Sequence, residues 1–264
     1  MRRPADADAA SAPMPPEPTS EQVSLLKAAL LTGPDAVAAW ETWRGSTTIE
    51  ALDGDSQWLL PLLYHNLHAQ GVPAALLVRC RNVYLHNWYK NSLTLRRTEP
   101  AIRDLARSDG PIVLLGGAAM AVRYYDAIGA RPFGPLSVLA PGCAGSRREL
   151  ASDAGATVEV KASLFGGDID ESVVRRASGS TWKTMRWLAL DPADQLVDIC
   201  ARRYEWDRRS RLFWLADAAL VVRRELGLDW ERVSAVSAHM GLQAVVASLF
   251  AYLEDVIGLP IGTR

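Results

Sequence analysis

The chain is poor in the residues that build covalent or metal-clamped scaffolds. Its three cysteines, Cys80, Cys143 and Cys200, are far apart. An odd, dispersed set argues against a disulfide framework and fits a reducing compartment. It also lacks the spacing of a zinc site. Of four histidines, His65, His68, His86 and His239, only His65 and His68 share a helical spacing, and no third ligand accompanies them. No run of about 18 uncharged apolar residues occurs, so no transmembrane helix is expected. A formal net charge of −1 gives no strong nucleic-acid signal and no acidic tail. The first residues, MRRPADADAASAPMPPEP, carry two arginines but no apolar core, so a secretory signal is not expected. Their Ala/Pro/Asp content predicts a disordered tail over 1–19. A cytoplasmic location is the expectation.

What is present is a large apolar fraction. Hydrophobic residues make up 49% of 264 positions, enough for one large domain or two small ones. The nine tryptophans read as core and helix-packing aromatics. From Ser20, a possible cap, Val23, Leu26 and Leu30 recur at helical spacing. Asp35 can cap a second helix holding Trp40 and Trp43. A third spans Asp55–Gln70, with Pro61 favouring a start nearer Leu60 or a kink. Ala74–Ser108 is rich in helix formers, with a break or bend at Pro100. These segments form an N-terminal helical region, 20–108.

A different pattern follows over 109–180. Pro111–Leu115 is a short apolar run of strand length, Ala118–Ala127 is helical, and Leu136–Ala140 is a second strand. Ser146–Ala154 reads as a short helix. Thr157–Lys161 alternates, with Val158 and Val160 on one face and Thr157, Glu159 and Lys161 on the other. A C-terminal helical region, 181–264, opens at Asp191-Pro192 with a cap and a first-turn proline. Leu212, Leu215 and Ala219 stripe one of its helices, and Trp230–His239 and Leu242–Ile257 complete it. The fold class is α+β, a small mixed sheet flanked by N-terminal and C-terminal helices.

Chemistry concentrates between Gly110 and Pro141, in GPIVLLGGAAMAVRYYDAIGARPFGPLSVLAP. An apolar strand runs into Gly116-Gly117, then a helix, a turn and a second strand. Glycines at a strand-to-helix turn let the backbone approach a phosphate closely. The segment resembles a family of uncharacterised bacterial nucleotidyltransferases. Leu115-Gly116-Gly117 stands where that family has Lys-Gly, and Tyr124-Tyr125 where it has a helix tyrosine. Arg131 and Gly134 match the turn before its metal strand. Pro135 and Ser137 stand at its Asp-x-Asp pair. Glu159 keeps a later acidic position, and Lys161 replaces a histidine. Trp206, Arg211, Leu212, Trp214, Leu215 and Asp217 are similar to its C-terminal helix pattern.

The resemblance implies a sheet of nucleotidyltransferase type with a degraded metal site. Positions 135 and 137 share a strand face, as two metal-holding carboxylates must, but neither proline nor serine supplies one. The candidate residual pocket is therefore Gly116, Gly117, Arg131, Ser137 and Glu159, with no metal. The reading is a nucleotidyltransferase-like pseudoenzyme that binds a nucleotide or a protein partner. Alternatives are an active transferase using magnesium and a nucleoside triphosphate through relocated ligands, with Glu159 and Asp168 or Asp170 recruited, or a helical scaffold with no ligand. Gly166-Gly167 and Asp168–Glu171 otherwise read as a turn with a solvated acidic tip. Ser137 has no nucleophile-elbow motif. The five arginines from Arg202 to Arg211 read as a solvated helix face, with phosphate or RNA contact as the alternative.

Overall fold

The computed structural model describes residues 17–143, 147–151, 157–183, 185–202 and 212–259. The predicted tail over 1–19 lies outside them up to residue 16, as does the arginine-rich stretch 203–211. The chain divides into two compact units, Met1–Tyr84 with Leu196–Arg264, and Leu85–Gln195.

The first unit is helical. Helix α1 (Ser20–Leu30) opens on a capping box in which Thr19 accepts from Gln22 N–H, one residue before the expected Ser20 cap. Helix α2 (Gly33–Ser46) buries Trp40 and Trp43, stacked at 5.2 Å. A short α3 (Gly54–Gln57) and α4 (Leu60–Ala69) replace the single expected helix, with Pro61 in the first turn of α4. The Asn66 side chain donates to the carbonyls of Ala28 and Leu31 at 2.8 and 2.7 Å, closing the C-terminus of α1.

Helix α5 (Val78–Asp109) is continuous, with Pro100 inside it and one 3₁₀ turn, Ala74–Leu77, ahead of it. The break expected at Pro100 is absent. Nearby, the Thr98 hydroxyl donates to the Thr94 carbonyl at 2.8 Å.

The second unit is built on a sheet. Its strands are β1 (Val113–Leu115), β2 (Leu136–Leu139), β3 (Arg147–Ala151), β4 (Thr157–Lys161), β5 (Ser178–Trp182) and β6 (Met185–Ala189). Their order is β3-β4-β2-β1-β6-β5. The β1–β2, β3–β4 and β5–β6 pairs are antiparallel, and β1–β6 and β2–β4 are parallel. The mixed sheet and the adjacency of 136–140 to 157–161 are as expected.

Two expectations change. The segment read as a helix over 146–154 holds β3, which pairs along β4. The boundary placed at 180 falls inside β5, because the β5–β6 hairpin extends the sheet to Ala189. The hairpin gave a weak strand signal because Ser178-Gly179-Ser180-Thr181 has no apolar alternation.

Alternate strand residues face one core. Leu114, Leu136, Val138, Val158, Val160, Met185 and Trp187 pack with Leu95, Ile102 and Leu105 of α5. Each fully buried aliphatic contributes roughly 1.5–3 kcal/mol. Helix α6 (Gly116–Arg123) adds Ala118, Ala119 and Ala121 to this core, and α7 (Gly167–Arg176) precedes β5. The remaining helices are α8 (Pro192–Ala201), α9 (Phe213–Arg224), α10 (Trp230–Met240) and α11 (Gln243–Tyr252), followed by a π turn at Leu253–Ile257.

Candidate functional site

The opposite sheet face carries the polar chemistry. Because β1–β2 is antiparallel and β2–β4 parallel, Leu115, Ser137 and Glu159 form one row across three strands. The row is fixed by register, since a one-residue slip would turn every side chain to the other face. Within it the Ser137 hydroxyl donates to Glu159 Oε2 at 2.9 Å. Lys161, two residues along β4 and so on the same face, places Nζ 3.9 Å from Glu159 Oε1. Glu159 and Lys161 are each about one-fifth exposed. The three side chains therefore form a short chain of hydroxyl, carboxylate and ammonium.

The turn glycines lie at the end of this row. Leu115 is the N-cap of α6, and Gly116 takes φ +67°, a left-handed conformation that an L side chain rarely adopts. The positive φ belongs to Gly116; Gly117 is not in that region. Both glycines are buried.

Arg131, expected in the pocket, lies in the loop ahead of β2. It is buried, with Nη1 donating to the Pro132 carbonyl at 2.6 Å. Its loop is pinned from α5, where Asn91 Nδ2 donates to the carbonyls of Ile128 and Arg131 at 2.7 and 2.9 Å. Sequence reading missed Asn91, whose signal is no more than an amide in an otherwise ordinary helix. The structure thus brings Ser137 and Glu159 onto neighbouring strands, places Gly116 at the start of α6 just beyond β1, and turns the Arg131 guanidinium back on its own loop.

The acidic stretch after Gly166 is also corrected. Gly167–Arg176 is a helix, not a turn, and Asp168 and Asp170 sit in its first turn. Asp170 is buried. It accepts from the Ser163 hydroxyl at 2.5 Å and from the N–H groups of Leu164, Phe165 and Gly166 at 3.1, 2.8 and 3.0 Å. A carboxylate with both oxygens so engaged holds the loop that enters the helix. Arg202 is likewise buried and paired with Asp198, not part of a solvated face.

Among the described residues, no group of three or more His, Cys, Asp or Glu side chains is placed to hold a metal ion. His65 and His68 lie on α4 among aromatic rings: His68 stacks on Tyr64 at 5.4 Å, and His65 lies 6.3 Å from Tyr84. No described helix is long and apolar enough to cross a membrane. No protein-family model, curated protein or solved structure matches the chain.

Proposed function

We propose that this chain is a nucleotidyltransferase-like protein that transfers nothing, and acts as a binding module. One observation carries the reading. Ser137 and Glu159 stand side by side in register, where two carboxylates would be needed to clamp a magnesium ion, and they are joined to each other and to Lys161. Two-metal phosphoryl chemistry needs several carboxylates converging on one sheet face. Among the described side chains this face offers Glu159, whose charge is met by an ammonium and a hydroxyl, and Glu149 of β3 stands opposite it in register. A divalent cation brought to Glu159 would meet the Lys161 charge at close range. Relocated ligands find no support at Asp170, whose oxygens hold its own loop.

The test is a thermal-shift series with each ribonucleoside triphosphate, with and without magnesium, beside a pyrophosphate-release assay. The expected result is no magnesium-dependent shift and no release. Magnesium-dependent release that disappears in Glu159→Ala would refute the proposal. The triple change Pro135→Asp, Ser137→Asp and Lys161→Ala is expected to gain magnesium affinity, because it restores an acidic row.

A further inference from the structure

The two edges of the sheet differ. At one end, β3 carries Arg147, Arg148 and Glu149, charges of the kind that discourage an edge strand from pairing with another chain. At the other end, β5 reads Ser178-Gly179-Ser180-Thr181-Trp182, with no charge and no proline. Its register with β6 runs residue for residue, so no bulge turns it aside. Ser178, Gly179 and Thr181 are exposed, and Ser180 and Trp182 are half-buried.

The direction of the free backbone groups follows from β6. The Leu188 N–H donates to the Ile112 carbonyl, on the β1 side and away from β5. Leu188 stands opposite Gly179, so the two form a non-hydrogen-bonded pair, and the N–H and C=O of Gly179 point out from the sheet. Alternation gives Thr181, opposite Arg186, the same direction. Among the described residues no hydrogen bond outside the β5–β6 ladder reaches the backbone of Gly179 or Thr181. The edge therefore presents two donors and two acceptors to solvent.

We propose that this edge pairs with the same edge of a second copy of the chain, antiparallel, about a two-fold axis at Ser180. The strand is complementary to itself read backwards. In this register Gly179 meets Thr181 of the second copy, and Thr181 meets its Gly179, so every outward group is used in two reciprocal pairs of hydrogen bonds. Slipping by two residues would bring in Ala177, whose N–H is taken by Val173, or Lys183, which turns left-handed at φ +54°. The side chains also fit, because Trp182 falls opposite a serine and Thr181 opposite a glycine. With no charge in β5, two copies bring no repulsion together. The strand offers five residues, against about 20–30 a side in a stable interface, so the association is weak and reversible. The Ser137–Glu159–Lys161 row lies on β2 and β4, inside the sheet, and neither proposal depends on the other.

The experiment is sedimentation velocity of the full chain over about two decades of concentration, with a shift from monomer towards dimer expected. Thr181→Pro removes an outward N–H and none of the bonds to β6. It is expected to weaken self-association on the order of tenfold or more, with unchanged circular dichroism. Ser180→Cys reads the register, because Cα atoms across a non-hydrogen-bonded antiparallel pair lie about 4.5 Å apart, within reach of a disulfide. Cys80, Cys143 and Cys200 are buried, so mild oxidation should cross-link the Ser180→Cys variant through the new thiol. Thr181→Cys, more exposed but off the axis, should cross-link far less. A natural protein that stays monomeric at every concentration overturns the proposal and leaves the edge to a strand from another protein. So does a Thr181→Pro variant that associates as the natural protein does, or a Thr181→Cys variant that cross-links as readily as Ser180→Cys.

Discussion

Replacing Asp170 with alanine is expected to destabilise the protein by about 3–5 kcal/mol, at the upper end for a single substitution. The carboxylate is buried and accepts one hydroxyl and three backbone N–H groups from Ser163 to Gly166. Hydrogen bonds to a charged group contribute about 1.5–3 kcal/mol each, and a buried donor left without an acceptor costs about 1–3 kcal/mol. These terms overlap, because the loop relaxes and water reaches part of it, so their simple sum is an upper bound. Asparagine separates the contributions. Its oxygen can keep the Leu164 and Phe165 N–H groups, while its amide would face the Gly166 N–H, donor against donor. The Ser163 hydroxyl can turn and accept. Asp170→Asn should therefore cost about 1–2 kcal/mol. Urea unfolding followed by circular dichroism measures both. An alanine variant within about 1 kcal/mol of the natural protein, or an asparagine variant as poor as alanine, would refute the loop-closing argument.

Three further outcomes follow from single side chains. Burial pushes the Cys80 thiol up to about 11, and Cys143 and Cys200 are buried too, so Ellman's reagent at pH 8 should titrate no thiol in the native protein and three in urea. Burial raises the Asp53 carboxyl, but hydrogen bonds from the Ser56 hydroxyl and N–H and from Gln22 outweigh it and hold the group below the usual range. A folded value below the unfolded one means that this contribution is complete above about pH 4 and is lost as pH falls through the folded value. Asp53→Asn should flatten the acid end of the stability profile. Asn91→Ala should cost about 2–3 kcal/mol, since the Ile128 and Arg131 carbonyls each lose their donor, and differential scanning calorimetry would register it.

The helices of the first unit were largely legible, because their leucines and tryptophans recur at 3.6-residue spacing and all of Leu25, Leu26, Trp40, Trp43 and Leu63 are buried. The strands β1, β2 and β4 were legible for a related reason: each is apolar on the side that meets α5. The β5–β6 hairpin was not, since its edge strand packs one face lightly and so needs few apolar residues. Nor was β3, whose Arg-Arg-Glu-Leu-Ala sequence suits a helix by propensity while the ladder with β4 decides its state. At the candidate site, residue identities were readable but pairings were not. Sequence put Glu159 and Lys161 on one face; that Lys161 answers Glu159, and that Arg131 turns inward, are tertiary facts. The acids at 168–170 looked like a loop tip because Gly-Gly-Asp is turn chemistry. The loop lies just before them, over Ser163–Gly166, and Asp170 in the first helical turn closes it.

The ammonium of Lys161 gives the sheet a counter-ion that cannot diffuse away. Where a carboxylate row relies on bound magnesium to relieve its repulsion, chelation or magnesium depletion loosens the fold, and stability follows the metal content of the medium. A counter-ion tethered through its own strand is present at fixed stoichiometry in every molecule. The melting temperature of this protein should accordingly be the same in EDTA as in millimolar magnesium, making the shape of its sheet independent of the cell's divalent-ion balance.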